Sequence, residues 1–335
     1  MPRISVDRLV AQLTALFVRE GVSEPRARRV AELYAQASAD GVYSHGANFI
    51  PSLLEWLREK LIADPENPPE RVSSFGAFER YDGRRGFGSL NAEFCIDRAM
   101  ALADGHGMGA VALRNTGHWG RPGNYGWRAA EHGYLAICWT NTWPVLPPWE
   151  GRVNAIGNNP LVFAVPGENG EHLVLDMAMS QFSYGALASY AKRGQPLPVP
   201  GGYDSAGHLT EDAGAIEASQ RALPIGYWKG SGLALVLDMI GAMLSGGLAT
   251  HQLGLEPLRE AGQSQVFLAV DPSNLGTAEE LSRVADGILD YLRHAKPVDP
   301  TQPIRYPGEQ TLLVREENMR LGVPVDPDIW SDLSR

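Results

Sequence analysis

Apolar residues recur at helical spacing from the start of the chain. Val6, Leu9, Val10, Leu13, Leu16 and Phe17 share one face, and Gly21 ends the run. Ser23 followed by Glu24 and Pro25 reads as a second helix start, because a first-turn carboxylate complements the helix dipole. Val30, Leu33, Tyr34 and Ala37 continue that face. Leu53, Leu54, Trp56 and Leu57 predict a third helix over about residues 51–61. PENPPERV, residues 65–72, reads as a linker.

From about residue 76 the period changes. Asp82-Gly83 suits a turn, and NAEFCIDRAMALADGHG is a helix ending in glycine. MGAVALRN, YLAICWTN, LVFAVP, HLVLDM and QVFLAV read as strands. GNYGWRAAEHG, KGSGLALVLDMIGAMLSGG and TAEELSRVADGILDYLRHA read as helices among them. This alternation predicts an α/β layered domain over residues 76–299, which would hold cofactor and substrate. EQTLLVREENMRLG and DPDIWSDL return to helix. Residues 1–75 with 300–335 are therefore expected to form a helical domain built from both chain ends. GQPLPVPGGYDSAGHLTED is too long to be a mere connection, and loops of that kind often shape a site.

Composition narrows the function. A net charge of −10 and a pI near 5.3 argue against nucleic acid or a polybasic membrane surface as partner. No run approaches the ~20 apolar residues of a membrane span, and the amphipathic N-terminus lacks a signal core. Cys95 and Cys138 stand apart in apolar surroundings, as buried thiols in a reducing compartment do. A cytoplasmic location is expected.

Candidate chemistry is spread over several segments. GHGMGA, residues 105–110, matches a dinucleotide-binding glycine pattern, but it follows a helix and enters a strand. A Rossmann turn does the reverse, so the Rossmann reading is rejected. No P-loop pattern occurs. In KGSG, residues 229–232, the glycines are expected to open a long helix over 233–245. Lys229 there is either an anion contact or a solvated side chain. RNTGHWGRPGNYGW concentrates Asn115, His118, Trp119, Arg121 and Asn124 at a strand end, where α/β sheets bind ligands. The alternative is a structural turn with a hydrogen-bonded histidine. WTNTWPVLPPWEGRVNAIGNNP brings Asn158 and Asn159, suited to a hydroxylated ligand or to loop packing. The scattered histidines lack metal-ligand spacing, and no metal is expected. His45, in GVYSHGANFIP between two helices, is either an exposed turn residue or a proton donor held in an interhelical corner.

GVYSHG, LRNTGHWGRPGNYGW, AICWTN, PPWE, IGNNPL, VLDMAMSQFSYG, LPVPGGYD and LPIGYWKGSGLALVLDMI together resemble the malate/L-lactate dehydrogenase family, over about residues 5–330. The resemblance implies a nucleotide-binding α/β fold that is not a Rossmann fold. It implies reduction of a sugar-derived 2-keto acid with NADH or NADPH, in a homodimer with sites near the subunit interface. It assigns the proton donor to His45, oriented by Ser44, with His118 as rival donor, substrate ligand or relay. Cofactor contacts carry over to His172, Leu173, Val174, Leu175, Asp176, Met177 and Ala178, to Trp228 and Lys229, and to Gly308, Glu309 and Gln310. Asn48, Arg121 and Asn158 are the expected substrate contacts. An imidazole fits the donor role because its ordinary pKa of ~6.5 lets it give and recover a proton near neutrality. One departure stands out. The family's S-H-G-x-x-R arginine, suited to a substrate carboxylate, is Phe49 here, so Arg121 is the expected substitute. Action on malate, lactate, ureidoglycolate or a cyclic imino acid stays open, as does a nucleotide-binding protein without turnover.

Overall fold

The computed structural model describes residues 2–255 and 261–334. At its centre is a seven-stranded sheet. In spatial order the strands are Glu70–Phe75, Phe78–Asp82, Met108–Thr116, Gln263–Val270, Leu135–Thr140, Leu161–Val165 and Leu173–Met177. Phe78–Asp82 runs parallel to Met108–Thr116, and the other neighbours are antiparallel. A mixed α/β fold of this kind has no continuous parallel ladder from which a Rossmann turn would emerge. Gly107 of the rejected glycine pattern is instead a left-handed helix cap with φ 79°. Gly109 is required by packing, since a Cβ there would lie 2.1 Å from the Ala99 carbonyl oxygen.

Alternation along the central strands builds a core on each face. Val111, Leu113, Cys138, Phe267 and Ala269 pack with helices Gly88–His106 and Gly123–Glu131. Ala112, Trp139 and Val266 face the other way, toward helix Trp228–Ser245. Both cysteines are buried and unpaired with each other, and burial pushes their thiol pKa values up. A third cluster joins helices Val6–Arg19, Glu24–Ala39 and Ile50–Arg58 to Val323, Val325 and Leu333 from the far end of the chain.

Three expectations need correction. The end of the expected linker is already strand, because Glu70–Phe75 is an edge strand exposed at every position and carries no alternation to read. The long helix begins at Trp228, so KGSG lies inside its first turns rather than ahead of it. A Cβ on Gly230 would sit 2.2 Å from the Ile225 carbonyl oxygen, so that glycine serves close packing. Finally, the long loop is preceded by a helix the pattern did not reveal, Tyr184–Arg193, and contains a two-residue pairing of Gly202–Tyr203 with Leu209–Thr210.

Candidate active site

The Ser44-His45-Gly46 turn is pressed onto the helix before it. Ser38 Oγ accepts the Ala47 N–H at 2.8 Å and donates to the Tyr34 carbonyl at 3.2 Å. A Cβ on Gly46 would lie 2.0 Å from that hydroxyl, so only glycine lets the turn approach. Ser44 Oγ sits 3.0 Å from His45 Nδ1. From the other side comes helix Tyr184–Arg193, where a Cβ on Gly185 would stand 3.1 Å from Ser44 Cβ. His45 is thereby set into a cavity of about 400 Å³, shared with Ser44, Arg121, Asn158, Asp176 and Gly308.

Asp176 is the group that sequence reasoning placed only as a backbone cofactor contact. Its carboxylate faces the cavity, accepts the Gly123 N–H at 2.9 Å and lies 3.8 Å from Arg121 Nε. Burial raises its pKa, against the lowering effects of Arg121, the Gly123 N–H and His45. Burial lowers the pKa of His45; Asp176 opposes that shift and Arg121 adds to it. The signal for Asp176 was present in LVLDM, a lone acid in an otherwise apolar strand.

His118 lies beside His45, with ring centroids 5.7 Å apart, and stacks on Phe49 at 4.7 Å. The Gly120 N–H donates to its Nδ1 at 3.0 Å, so the neutral ring carries its proton on Nε2. Burial, then the neighbouring His45, hold its pKa down to about 3. A ring that stays neutral at physiological pH can donate a hydrogen bond but holds no imidazolium proton to give. This weakens its standing as rival donor.

Arg121 reaches the cavity but is not a free clamp. Its side chain is buried, and one end of the guanidinium pairs with Asp40. Its Nε, without a hydrogen-bond partner, is the part left beside Asp176. Asn158 lines the cavity and accepts from Thr142 Oγ1 at 3.0 Å, whereas its neighbour Asn159 is buried and ties Thr142 to the Ala234 carbonyl. Asn48 is exposed and does not line the cavity. The other donors of the His118 loop serve structure. Asn115 bonds Asp82, Asn124 bonds the Leu33 carbonyl, and Trp119 is buried in the core.

The expected nucleotide contacts divide into two groups. Val174, Leu175, Asp176 and Ala178 line the cavity from the edge strand Leu173–Met177, together with Gly308. Gly308 has φ 101°, and a Cβ there would meet Val174 N and the His172 carbonyl oxygen at 3.1 Å each. His172 is buried, with its Nδ1 accepting the Gly167 N–H at 3.0 Å. Glu309 lies 3.5 Å from Arg293, and Gln310 is exposed. Trp228 and Lys229 are exposed and lie outside the cavity lining. An open sheet edge and a glycine cradle beside His45 and Asp176 would accommodate a planar nicotinamide, which would supply a hydride when bound. Among the described residues no cluster of three or more His, Cys, Asp or Glu is placed to hold a metal, and no helix is long and apolar enough to cross a membrane.

The pattern that defines the malate/L-lactate dehydrogenase family matches residues 4–334. The chain belongs to that family. Members are NAD(P)-dependent dehydrogenases, and this chain is an oxidoreductase among them. It is 41% identical over 331 residues to the 2,3-diketo-L-gulonate reductase of Escherichia coli strain K12, covering 99% of each chain. Its structure resembles that of sulfolactate dehydrogenase from Methanocaldococcus jannaschii, with a TM-score of 0.90 at 26% identity over 99% of this chain and 95% of the other. It also resembles delta1-piperideine-2-carboxylate reductase from Pseudomonas syringae, with a TM-score of 0.88 at 26% identity over 100% of this chain and 99% of that one.

Proposed function

We propose that this family member reduces a sugar-derived 2-keto acid, 2,3-diketo-L-gulonate first among candidates, and that His45 is the proton donor. The observation that carries this reading is the convergence of His45, Asp176, Arg121 and Asn158 on one cavity. The dinucleotide, NADH or NADPH, supplies a hydride when bound. Residues His172 to Ala178, Trp228, Lys229, Gly308, Glu309 and Gln310 are the ones assigned to hold it. Hydride addition to a ketone leaves an alkoxide, and His45 supplies the proton that it needs. Ser44 fixes the ring through Nδ1, so the proton given is the one on Nε2. Asp176 stabilises the charged imidazolium before transfer. His118 donates a hydrogen bond from Nε2, while Asn158 and Arg121 contact the substrate; Asn48, outside the cavity, is not among these contacts. The working unit is a homodimer in the cytoplasm.

Phe49 favours keeping a second reading, in which the substrate is another keto or imino acid of the family, such as those related to malate, lactate, ureidoglycolate or a cyclic imino acid. An aromatic ring stacked on His118 offers a flat apolar wall in place of a cation. Steady-state reduction of 2,3-diketo-L-gulonate by NADH and NADPH tests the proposal, with wild type and His45→Ala compared. Wild-type turnover that falls by about two or more orders of magnitude in the variant, with dinucleotide binding retained, is the expected result. Turnover that survives the substitution removes the donor role from His45. Dinucleotide binding with no wild-type turnover of this acid sends the search to a panel of other keto and imino acids. Failure across that panel leaves a nucleotide-binding protein.

A further inference from the structure

The cavity is organised from behind by a carboxylate that does not line it. Asp40 follows helix Glu24–Ala39, and its side chain is wholly shielded from solvent. Its oxygens accept from Gln36 Nε2 at 2.7 Å, from Arg315 Nε at 2.6 Å, from Arg315 Nη2 at 2.9 Å, and from Arg121 Nη1. Three parts of the chain thus meet at one anion: the helix before the Ser44-His45-Gly46 turn, the His118 loop, and helix Glu309–Leu321.

Two guanidinium groups on one carboxylate leave a positive charge to be balanced. The two cations find further anions in opposite directions. Arg315 lies over the Trp127 ring at 4.4 Å and 3.7 Å from Glu131. Arg121, gripped by Asp40 through Nη1, keeps its Nε 3.8 Å from Asp176. Asp176 in turn lines the same cavity as His45. On the side away from His45, Asp40 and Arg315 share a second cavity with Arg29, Glu32, Glu93, Arg128 and Glu131. His45 is influenced by Asp176 and Arg121 and abuts His118. Asp176 is influenced by Arg121, His45 and the Gly123 N–H. Arg315 is influenced by Asp40 and Glu131, and itself acts on His172.

We propose that Asp40 is a positioning residue of the reaction: by anchoring Arg121 it holds that guanidinium beside Asp176 in the cavity that His45 lines. This rests on the reading of His45 as proton donor. A guanidinium not held at that spot has free rotamers and a path to water, and Asp176 would lose its nearest compensating charge. An amide cannot replace the carboxylate. Asparagine has one acceptor oxygen, and its NH₂ would oppose the N–H groups of whichever guanidinium it faced.

The test compares Asp40→Asn, Asp40→Glu and Arg315→Met by kcat and kcat/KM against pH in the reductive direction, with thermal midpoints alongside. Asp40→Asn is expected to lower kcat about tenfold or more, to leave KM for the dinucleotide within about twofold, and to move the acid limb, where Asp176 takes up a proton, to higher pH. Asp40→Glu keeps the charge but displaces it, so it should fall between wild type and Asp40→Asn in both readouts. Arg315→Met removes the other cation and leaves Arg121 anchored, so it should cost stability without moving the acid limb. The proposal is overturned if Asp40→Asn keeps kcat within about twofold, if activity falls with the acid limb unmoved, or if Arg315→Met moves that limb as far. Where Asp40→Asn does not fold, an unmoved acid limb in Asp40→Glu overturns it equally. His45→Ala, run in parallel, separates the two ideas: wild-type turnover in that variant removes the donor reading, whatever the Asp40 variants do.

Discussion

His45 sits where two opposing effects meet, and their balance sets the direction of its pH dependence. Burial disfavours the imidazolium, and Asp176 only partly restores it, so the pKa lies below the ordinary value. Reduction uses the protonated ring. Its rate should therefore decline as pH rises through that lowered pKa, above the acid limb at which Asp176 takes up a proton. Oxidation uses the neutral ring and should show the mirror behaviour. Profiles of kcat/KM in both directions check this, and a reductive rate that climbs with pH from mildly acidic to mildly alkaline conditions would sink it. At this scale the sequence pointed to several of the side chains that meet around the cavity. Ser44, His45 and His118 are read from their motifs, and Arg121 from its loop. Asp176 showed itself only as a lone acid in an apolar strand, and the anchoring carboxylate of Asp40 was not readable at all, because their arginine partners come from distant parts of the chain. No local pattern encodes such a meeting.

Elements bring these side chains together through close approach, and glycines mark where it occurs. Gly123 is the clearest case. It opens helix Gly123–Glu131, and a Cβ there would lie 2.7 Å from Asp176 Oδ2 and 3.2 Å from Arg121 Nε. Its φ is not in the left-handed region, so alanine is compatible with the backbone. In a helix alanine is favoured over glycine by up to about 1 kcal/mol. Gly123 is the first residue of its helix, where that gain is small, and the new Cβ presses on a buried carboxylate, so Gly123→Ala should displace Asp176, lower kcat by about tenfold and lower the thermal midpoint as well. Thermal melts beside steady-state kinetics decide it, and a variant as active as wild type would show that the Gly123–Asp176 contact is not needed for catalysis. Sequence pattern served well for elements with a strong period, such as Val6–Arg19 or the buried strand Gln263–Val270. It failed for Glu70–Phe75, which buries no side chain, and for Tyr184–Arg193, whose only buried residue is Leu187. Periodicity reports burial, and neither element has much to report.

Across the whole molecule, two helices present apolar surface that their own chain does not cover. On Trp228–Ser245, Leu235, Met239 and Met243 follow at four-residue spacing and are 51%, 53% and 75% exposed. Helix Ala278–Arg293 buries no residue, yet Val284, Ile288 and Tyr291 fall on one face at 64%, 64% and 85% exposure. Exposed apolar residues repeated on one helix face fit an interaction surface. A second copy of the chain is the occupant that our homodimer reading requires. Light scattering should then give twice the 36.4 kDa chain mass. Met239→Asp places a charge in the middle of the first stripe, where dimerisation would have to desolvate it. The side chain is exposed in the single chain, so the substitution should leave the fold intact and shift the mass toward the monomer. Activity should fall with that shift and recover at higher protein concentration, because Trp228 and Lys229, assigned to the dinucleotide, begin the same helix. A wild type that scatters as a monomer at micromolar concentration would remove the dimer from the reading. A Met239→Asp protein that stays dimeric would move the contact to the second helix, where Ile288→Asp repeats the test.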